Sequence, residues 1–64
     1  MRINRIELTK ELTRQDMTQK QLAEKSGISR ATVNGIKNGR SCSDSSAIKI
    51  ADALGIPIEL LLEQ

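Results

Sequence analysis

A single glycine between two helix-like segments, in "AEKSGISRA" at residues 23–31, constrains this fold more than any other feature. Upstream, Thr18 and Gln21 have the spacing of a capping box that starts a helix. That helix can end at Gly27, because glycine takes up the left-handed backbone conformation of a helix end without steric cost. Two residues later Ser29 can cap a second helix. Only a tight turn fits between them, so the two helices are predicted to cross at a large angle.

Apolar side chains on both sides of this turn can hold the two helices together. Leu22 and Ala23 precede the turn, and Val33 and Ile36 follow it at a spacing that places both on one helix face. This pattern predicts a rigid helix-turn-helix at about residues 18–38.

Three further helices are predicted, and no strand, since the sequence has no aromatic residue and no strand-like alternation. Their start and stop residues are Asn4 and Gln15 for the first helix, Ser43 or Asp44 and Gly55 for the fourth, and Pro57 for the start of the fifth. In the first helix, Ile6, Leu8 and Leu12 are the candidate core residues. We expect an all-α fold, a compact bundle of five short helices that forms a single domain over residues 1–64.

The composition argues against catalysis and against metal or cofactor binding. There is no histidine, so no histidine-based catalytic pair can form, and Cys42 is the sole cysteine. The sequence shows no glycine-rich phosphate loop and no set of metal ligands. It also has no apolar run near the ~20 residues of a membrane span and no secretory signal. We therefore expect a cytoplasmic, non-enzymatic protein without membrane attachment.

Charge is unevenly distributed along the chain, although the net charge is only +2. Residues 18–41 contain five basic side chains against the single acid Glu24, whereas residues 42–64 contain one basic side chain against four acids. A basic segment that coincides with a helix-turn-helix is typical of a nucleic-acid-binding surface.

The segments "TQKQLAEKSGISRATVNGIKNGR" and "IKIADALGIPIELLLE" together resemble the lambda-repressor-like helix-turn-helix family, which includes phage repressors and Cro proteins. The resemblance extends from about Met17 to Leu62. It implies that the third helix enters the DNA major groove while the second lies across the backbone.

The resemblance also implies a role for individual residues on this surface. Base edges are expected to be met by residues of the third helix, namely Arg30, Ala31, Thr32, Asn34 and Gly35. Phosphate contacts are expected from helix ends and adjoining loops, namely Gln19, Lys20, Ser29, Lys37, Asn38, Gly39, Arg40 and Ser43. The family often has several basic residues in the loop after the third helix, but here that loop reads "SCSDSS", so serine hydroxyls and backbone amides must serve instead.

Gly35 is unexpected inside a helix, where glycine costs ~1 kcal/mol relative to alanine. One interpretation is that the bare backbone lets the third helix settle deeper into the groove. The alternative is that glycine is simply tolerated on an exposed face.

The function predicted from the sequence is sequence-specific binding of double-stranded DNA by a transcriptional regulator, most plausibly a phage or prokaryotic repressor on an operator. An inverted-repeat operator and a homodimer, at least on DNA, are expected, with Ile58, Leu61 and Leu62 as dimer contacts. Those side chains could instead belong to the core. The alternative function is a protein-interaction module, such as an antitoxin, on the same fold. The initial methionine and the end of the chain just after the fifth helix suit a stand-alone Cro-like regulator.

Overall fold

The computed structural model describes residues 2–63 and contains five α-helices. They are α1 (Arg5–Arg14), α2 (Gln19–Ser26), α3 (Arg30–Lys37), α4 (Asp44–Leu54) and α5 (Ile58–Leu61). The predicted all-α fold is confirmed. Among the described residues the only β-type pairing is an isolated antiparallel bridge between Ile3 and Leu62.

Side-chain caps begin the first four helices, and those of α2, α3 and α4 were predicted from the sequence. Asn4 Oδ1 accepts hydrogen bonds from the amides of Ile6 and Glu7 at 2.9 and 3.2 Å. At α2 the capping box is complete, because Thr18 Oγ1 accepts from the Gln21 amide at 3.1 Å and Gln21 Oε1 accepts from the Thr18 amide at 2.8 Å. These bonds satisfy amides that have no partner within the helix. Ser29 and Ser43 cap α3 and α4 in the same way.

Helices α2 and α4 end at the predicted glycines, whereas α1 ends at a different residue in the same conformation. Gly27 and Gly55 end α2 and α4 in the left-handed conformation, with φ of +75° and +68°. After α1 this position is Asp16, which is not a glycine but has φ of +52°. Its amide and that of Met17 donate to the carbonyls of Thr13 and Leu12 at 3.2 and 2.9 Å, which closes the helix end.

Buried apolar side chains from all five helices, together with Ile3, form one core. The fully or nearly fully buried large side chains are Ile3, Leu8, Leu22, Val33, Ile36, Ile50 and Leu61. Ile6 was predicted to lie in this core, and that prediction is wrong, because Ile6 is 77% exposed. The core face of α1 is set by Leu8 and Leu12, one turn apart, and a residue two positions from Leu8 points about 200° away from it.

The fifth helix is shorter than predicted. Its structure shows that the predictions for Pro57 and Leu61 were wrong. It has only four residues, with Pro57 at its N-cap rather than inside its first turn. Leu61 is fully buried and half-buried Ile58 packs against the core, so the predicted use of Leu61 as a dimer contact is wrong. The neighbouring Leu60, which was not among the predicted contacts, is 60% exposed. A helix of about one turn must direct one leucine inward and the next outward.

Both ends of α1 are tied to the C-terminal part of the chain. The Asn4 amide donates to the Leu61 carbonyl at 2.8 Å. At the other end Gln15 Nε2 donates to the Leu54 carbonyl at 2.7 Å and to Glu11 Oε1 at 3.2 Å. Hydrogen bonds from Arg14 and then Gln15 hold the pKa of the Glu11 carboxyl below its ordinary value. These contacts give α1 a fixed position against the helices that follow.

Candidate nucleic-acid interface

The turn between α2 and α3 is built from three residues that lie between Ser26 and Arg30. The amides of Gly27 and Ile28 both donate to the Ala23 carbonyl, at 2.9 and 3.2 Å. These bonds close the end of α2 and begin the turn. Ile28 is half-buried against the core and Ser29 already caps the next helix. The two helices are therefore held in a fixed mutual orientation, as a helix-turn-helix requires.

The outward face of α3 carries the five residues that were predicted to meet base edges. Arg30, Ala31, Thr32 and Asn34 are exposed, and Gly35 is half-buried. The opposite face holds Val33 and Ile36, which are 0% and 1% exposed. The face available to a partner is thus short-chained and polar, with one arginine in its first turn.

Ser29 and Thr32 are linked at the start of this face. Ser29 Oγ accepts a hydrogen bond from the Thr32 amide at 3.2 Å and donates one to Thr32 Oγ1 at 2.8 Å. The Thr32 hydroxyl therefore keeps its own hydrogen for donation outward. Ser29, predicted as a phosphate contact, is an exposed residue whose hydroxyl serves the α3 cap.

The amino ends of α2 and α3 differ electrostatically from those of the other helices. The first turns of α1, α4 and α5 contain Glu7, Asp44 and Glu59, whereas the first turns of α2 and α3 contain no acid. The partial positive charge of a helix amino end favours anions when no carboxylate offsets it. Residues 2–63 form two ion pairs, and both lie within α1. The basic side chains of α2 and α3 thus have no ion-pair contact with any carboxylate of the described residues.

A groove between α3 and the start of α4 brings base-edge and phosphate candidates together. The predicted site residues that line it are Ala31, Thr32, Gly35, Arg40 and Ser43. Ser43 Oγ caps α4 by accepting from the Ser46 amide at 3.1 Å. The structure therefore places five separately predicted residues on one continuous surface.

Arg40 packs against Gly35 in this groove because of the way α3 ends. The Arg40 amide donates to the Gly35 carbonyl and the Gly39 amide to the Ile36 carbonyl, both at 3.0 Å, while Gly39 has φ of +98°. These bonds form a Schellman motif, in which the residue after the left-handed position returns to the helix surface. The stem of Arg40 accordingly runs back over Gly35, where an added Cβ would lie 3.2 Å from Arg40 Cδ.

The remaining phosphate candidates lie around the rim of the helix pair. Half-buried Gln19 and Lys37 line a second groove, which is formed mainly by α1 and the loop that follows it. Lys20 and Asn38 are exposed. Lys20 lines neither the groove that holds Gln19 and Lys37 nor the groove between α3 and α4.

Arg5 also reaches this surface, although it lies outside the predicted motif. Its Cδ, Nε and Cζ atoms lie 3.5, 3.6 and 3.7 Å from the position of a Cβ on Gly39. The contact joins the first residue of α1 to the residue beyond the end of α3. Local sequence patterns carry no signal of it, because it depends on how α1 docks against the motif.

Cys42 lines the α3–α4 groove and is half-buried. Burial raises the pKa of its thiol, and nearby Asp44 acts in the same direction. A thiol of raised pKa stays protonated at neutral pH, which suits neither a nucleophile nor a metal ligand. Across residues 2–63, no three histidine, cysteine or acidic side chains come together as metal ligands would. None of the described helices has the length and apolar character needed to cross a membrane.

Comparison with known protein families identifies the family to which this chain belongs. A helix-turn-helix family model matches residues 8–61, most of the chain. The chain belongs to the lambda-repressor-like helix-turn-helix family. This is a family of DNA-binding transcriptional regulators, and the match covers both the α2–α3 motif and the helices packed around it. No curated protein matches the chain.

Solved structures with the same fold belong to a much longer protein. The helix-turn-helix chain is similar to native PhpD with cadmium atoms, with a TM-score of 0.86 and 20% identity, over 100% of this chain and 14% of that one. PhpD with cadmium and hydroethylphosphonate gives a TM-score of 0.85 at 20% identity, over the same shares of the two chains. The chain thus spans a small part of that protein, and the likeness shows the fold alone.

Proposed function

We propose that this helix-turn-helix protein is a sequence-specific repressor that occupies an operator in double-stranded DNA, with α3 in the major groove. Arg30 and Asn34, exposed on α3, offer the two-pronged hydrogen bonds that suit guanine and adenine edges. Ala31 and Thr32 are short enough to let the helix approach, and their methyl groups suit contact with a thymine methyl. As a regulator of prokaryotic or phage type, it would act in the cytoplasm, where that DNA lies.

One observation carries this proposal: the first turns of α2 and α3 lack acids, while the other three helices have one each. In the family's docking geometry, α2 crosses the DNA backbone and the start of α3 enters the groove. The two helix ends that would approach phosphates are therefore the two whose partial positive charge is not offset. Arg40, Lys20 and Lys37 add cations within the helix-turn-helix and the loop that follows it.

Selection of bound duplexes from a random DNA pool tests this function directly. A recovered consensus, bound more tightly than unrelated duplex of equal length, supports a sequence-specific regulator. Binding that is equal on all sequences contradicts sequence-specific reading by α3, and an absence of duplex binding contradicts the proposed function as a whole. Reporter repression from a promoter that contains the recovered site tests the repressor role.

A homodimer on an inverted repeat completes the proposal, with Leu60 in place of Leu61 as the central apolar contact. Leu60 is 60% exposed and lies in a groove with the partly buried Ile56 and Leu62. An exposed leucine beside half-buried apolar side chains is suited to a two-fold contact. Two α3 helices would then enter successive major grooves about 34 Å apart.

The alternative, a protein-interaction module such as an antitoxin, is not favoured by the surface of α2 and α3. The large exposed apolar side chains of the described residues are Ile6, Ile48 and Leu60, and none lies on these helices. An RNA-binding role is also not favoured, because the sequence has no aromatic side chain on which unpaired bases could stack.

A further inference from the structure

A cationic groove lies between α1 and the last residue of α3. It is lined by Arg5, Ile6, Thr9, Lys10 and Lys37. Three of the five carry positive charge and none carries negative charge, and one of the three, Lys10, pairs with Glu7 at 3.8 Å. A separate groove along α1 is mainly acidic, because Glu7, Glu11, Glu59 and Glu63 line it against the single cation Lys10. We call the first one the α1–α3 groove.

Arg5 is the best placed of these cations, because the start of α1 is fixed by the residue that precedes it, Asn4. The Asn4 side chain caps α1 and the Asn4 amide is bonded to the Leu61 carbonyl at 2.8 Å, so the start of α1 cannot swing freely. The Arg5 side chain extends over Gly39, where a Cβ would lie 3.5 Å from its Cδ atom. Arg5 takes part in neither ion pair of the described residues. Its guanidinium therefore lies beside Gly39 at the end of α3, with no carboxylate of residues 2–63 in ion-pair contact.

We propose that the α1–α3 groove binds backbone phosphates of the duplex next to the site read by α3, with Arg5 as its principal contact. The inference rests on the proposed DNA binding and extends it to a further surface. Gly39 adjoins Asn38 and Arg40, two residues proposed to meet phosphates, so the Arg5 side chain borders the same end of α3. A guanidinium binds phosphate through parallel hydrogen bonds. Exposed Ile6 supplies an apolar surface against deoxyribose.

The test compares Arg5→Gln, which removes the charge but keeps a long helix-compatible side chain, with Arg5→Lys, which keeps the charge. Binding is measured over a range of salt concentrations on the selected site, with short and with extended flanks. Arg5→Gln should reduce the slope of log affinity against log salt by about 0.9, the contribution of one phosphate contact, and remove the gain from extended flanks. Base preference should not change, and Arg5→Lys should keep the wild-type slope.

Arg14→Gln is the matched control, since Arg14 also lies on α1 and is exposed, but pairs with Glu11 at 2.6 Å. It should leave the DNA slope unchanged. If Arg40→Ala lowers the slope while Arg5→Gln does not, the α1–α3 groove is not a phosphate site and only this inference fails. If, in addition, a polyglutamate probe binds the wild type and not Arg5→Gln, the groove takes an acidic protein segment instead. If the wild type binds no duplex, both this inference and the proposed function fail.

Discussion

Gly35 and Arg40 are in direct packing contact: the position of a Cβ on Gly35 is 3.2 Å from Arg40 Cδ and 3.9 Å from Arg40 Cγ. That separation is tighter than an ordinary van der Waals contact, so a methyl group would move the arginine stem by a few tenths of an ångström. The contact supplies a third reading of this glycine, in which the bare backbone makes room for Arg40 rather than for the DNA. Tolerance on an exposed face does not account for such close packing.

Gly35→Ala tests which role the glycine has. The variant should raise the free energy of unfolding by ~0.5 to 1 kcal/mol, since alanine is the better helix former, and should weaken operator binding by displacing Arg40. A double-mutant cycle with Arg40→Ala separates the interpretations. If the glycine serves Arg40, Gly35→Ala changes affinity by less than about twofold once Arg40 is gone. If it serves close approach to the groove, the loss is the same in both backgrounds. A variant that melts higher and binds unchanged rules out both roles.

Arg30→Ala and Arg40→Ala should have different effects on DNA binding. Arg30, in the first turn of α3, is expected to read a base, so its loss should cost ~1 to 3 kcal/mol on the preferred site and relax the preference at one position. Arg40 is expected to meet a phosphate, so its loss should weaken all sequences about equally. Affinities on the selected site and on singly substituted sites provide the measurement. The two assignments would be exchanged if Arg30→Ala gave the uniform loss and Arg40→Ala the altered preference.

The helix boundaries were predictable from the sequence because they depend on neighbours in the chain. Thr18 with Gln21, and Ser29 before α3, cap their helices through bonds that span three residues. Exposure was less predictable, as Ile6 and Leu61 show. Each sits in an apolar pattern that fits two orientations, and only docking against the other helices selects one. The base-edge and phosphate roles remain predictions.

Long-range contacts were not predictable from local patterns at all. The bridge between Ile3 and Leu62 pairs the two ends of the described chain, and the Arg5 contact with Gly39 joins α1 to the end of α3. Neither has a signature within a window of a single helix. The left-handed Asp16 was missed for a different reason: the sequence places no glycine there, yet the Schellman end of α1 requires that conformation.

Asp16→Gly should stabilise the free protein. An L-residue at φ of +52° is sterically disfavoured, although aspartate tolerates it better than most, and glycine relieves that cost. Part of the gain is offset by the greater backbone entropy of glycine in the unfolded chain, so ~0.5 to 1 kcal/mol is expected, measured by urea denaturation. Gly27→Ala is the matched control: nothing crowds its Cβ position, but its φ is +75°, so it should lose stability. A less stable Asp16→Gly variant would show that the aspartate side chain supports the turn.

Leu60→Glu should weaken self-association without unfolding the chain. Leu60 is 60% exposed, so its replacement removes little from the core, whereas an added carboxylate in a proposed two-fold contact would oppose pairing. The control is Ile48→Glu on α4, where a side chain 49% exposed lies outside that groove. Sedimentation equilibrium, free and on duplexes with one or two half-sites, provides the measurement.

Self-association through Leu60 should depend on the salt concentration. The groove that holds Leu60 is also lined by four glutamates and a single cation, namely Glu7, Glu11, Glu59, Glu63 and Lys10. Two such surfaces repel each other across a two-fold axis, and salt screens that repulsion. Self-association of the wild type should therefore strengthen from low to moderate salt, while binding to DNA weakens over the same range. A wild type that sediments as a monomer at every salt concentration, and binds one unrepeated half-site as tightly as two, would exclude Leu60 as a dimer contact.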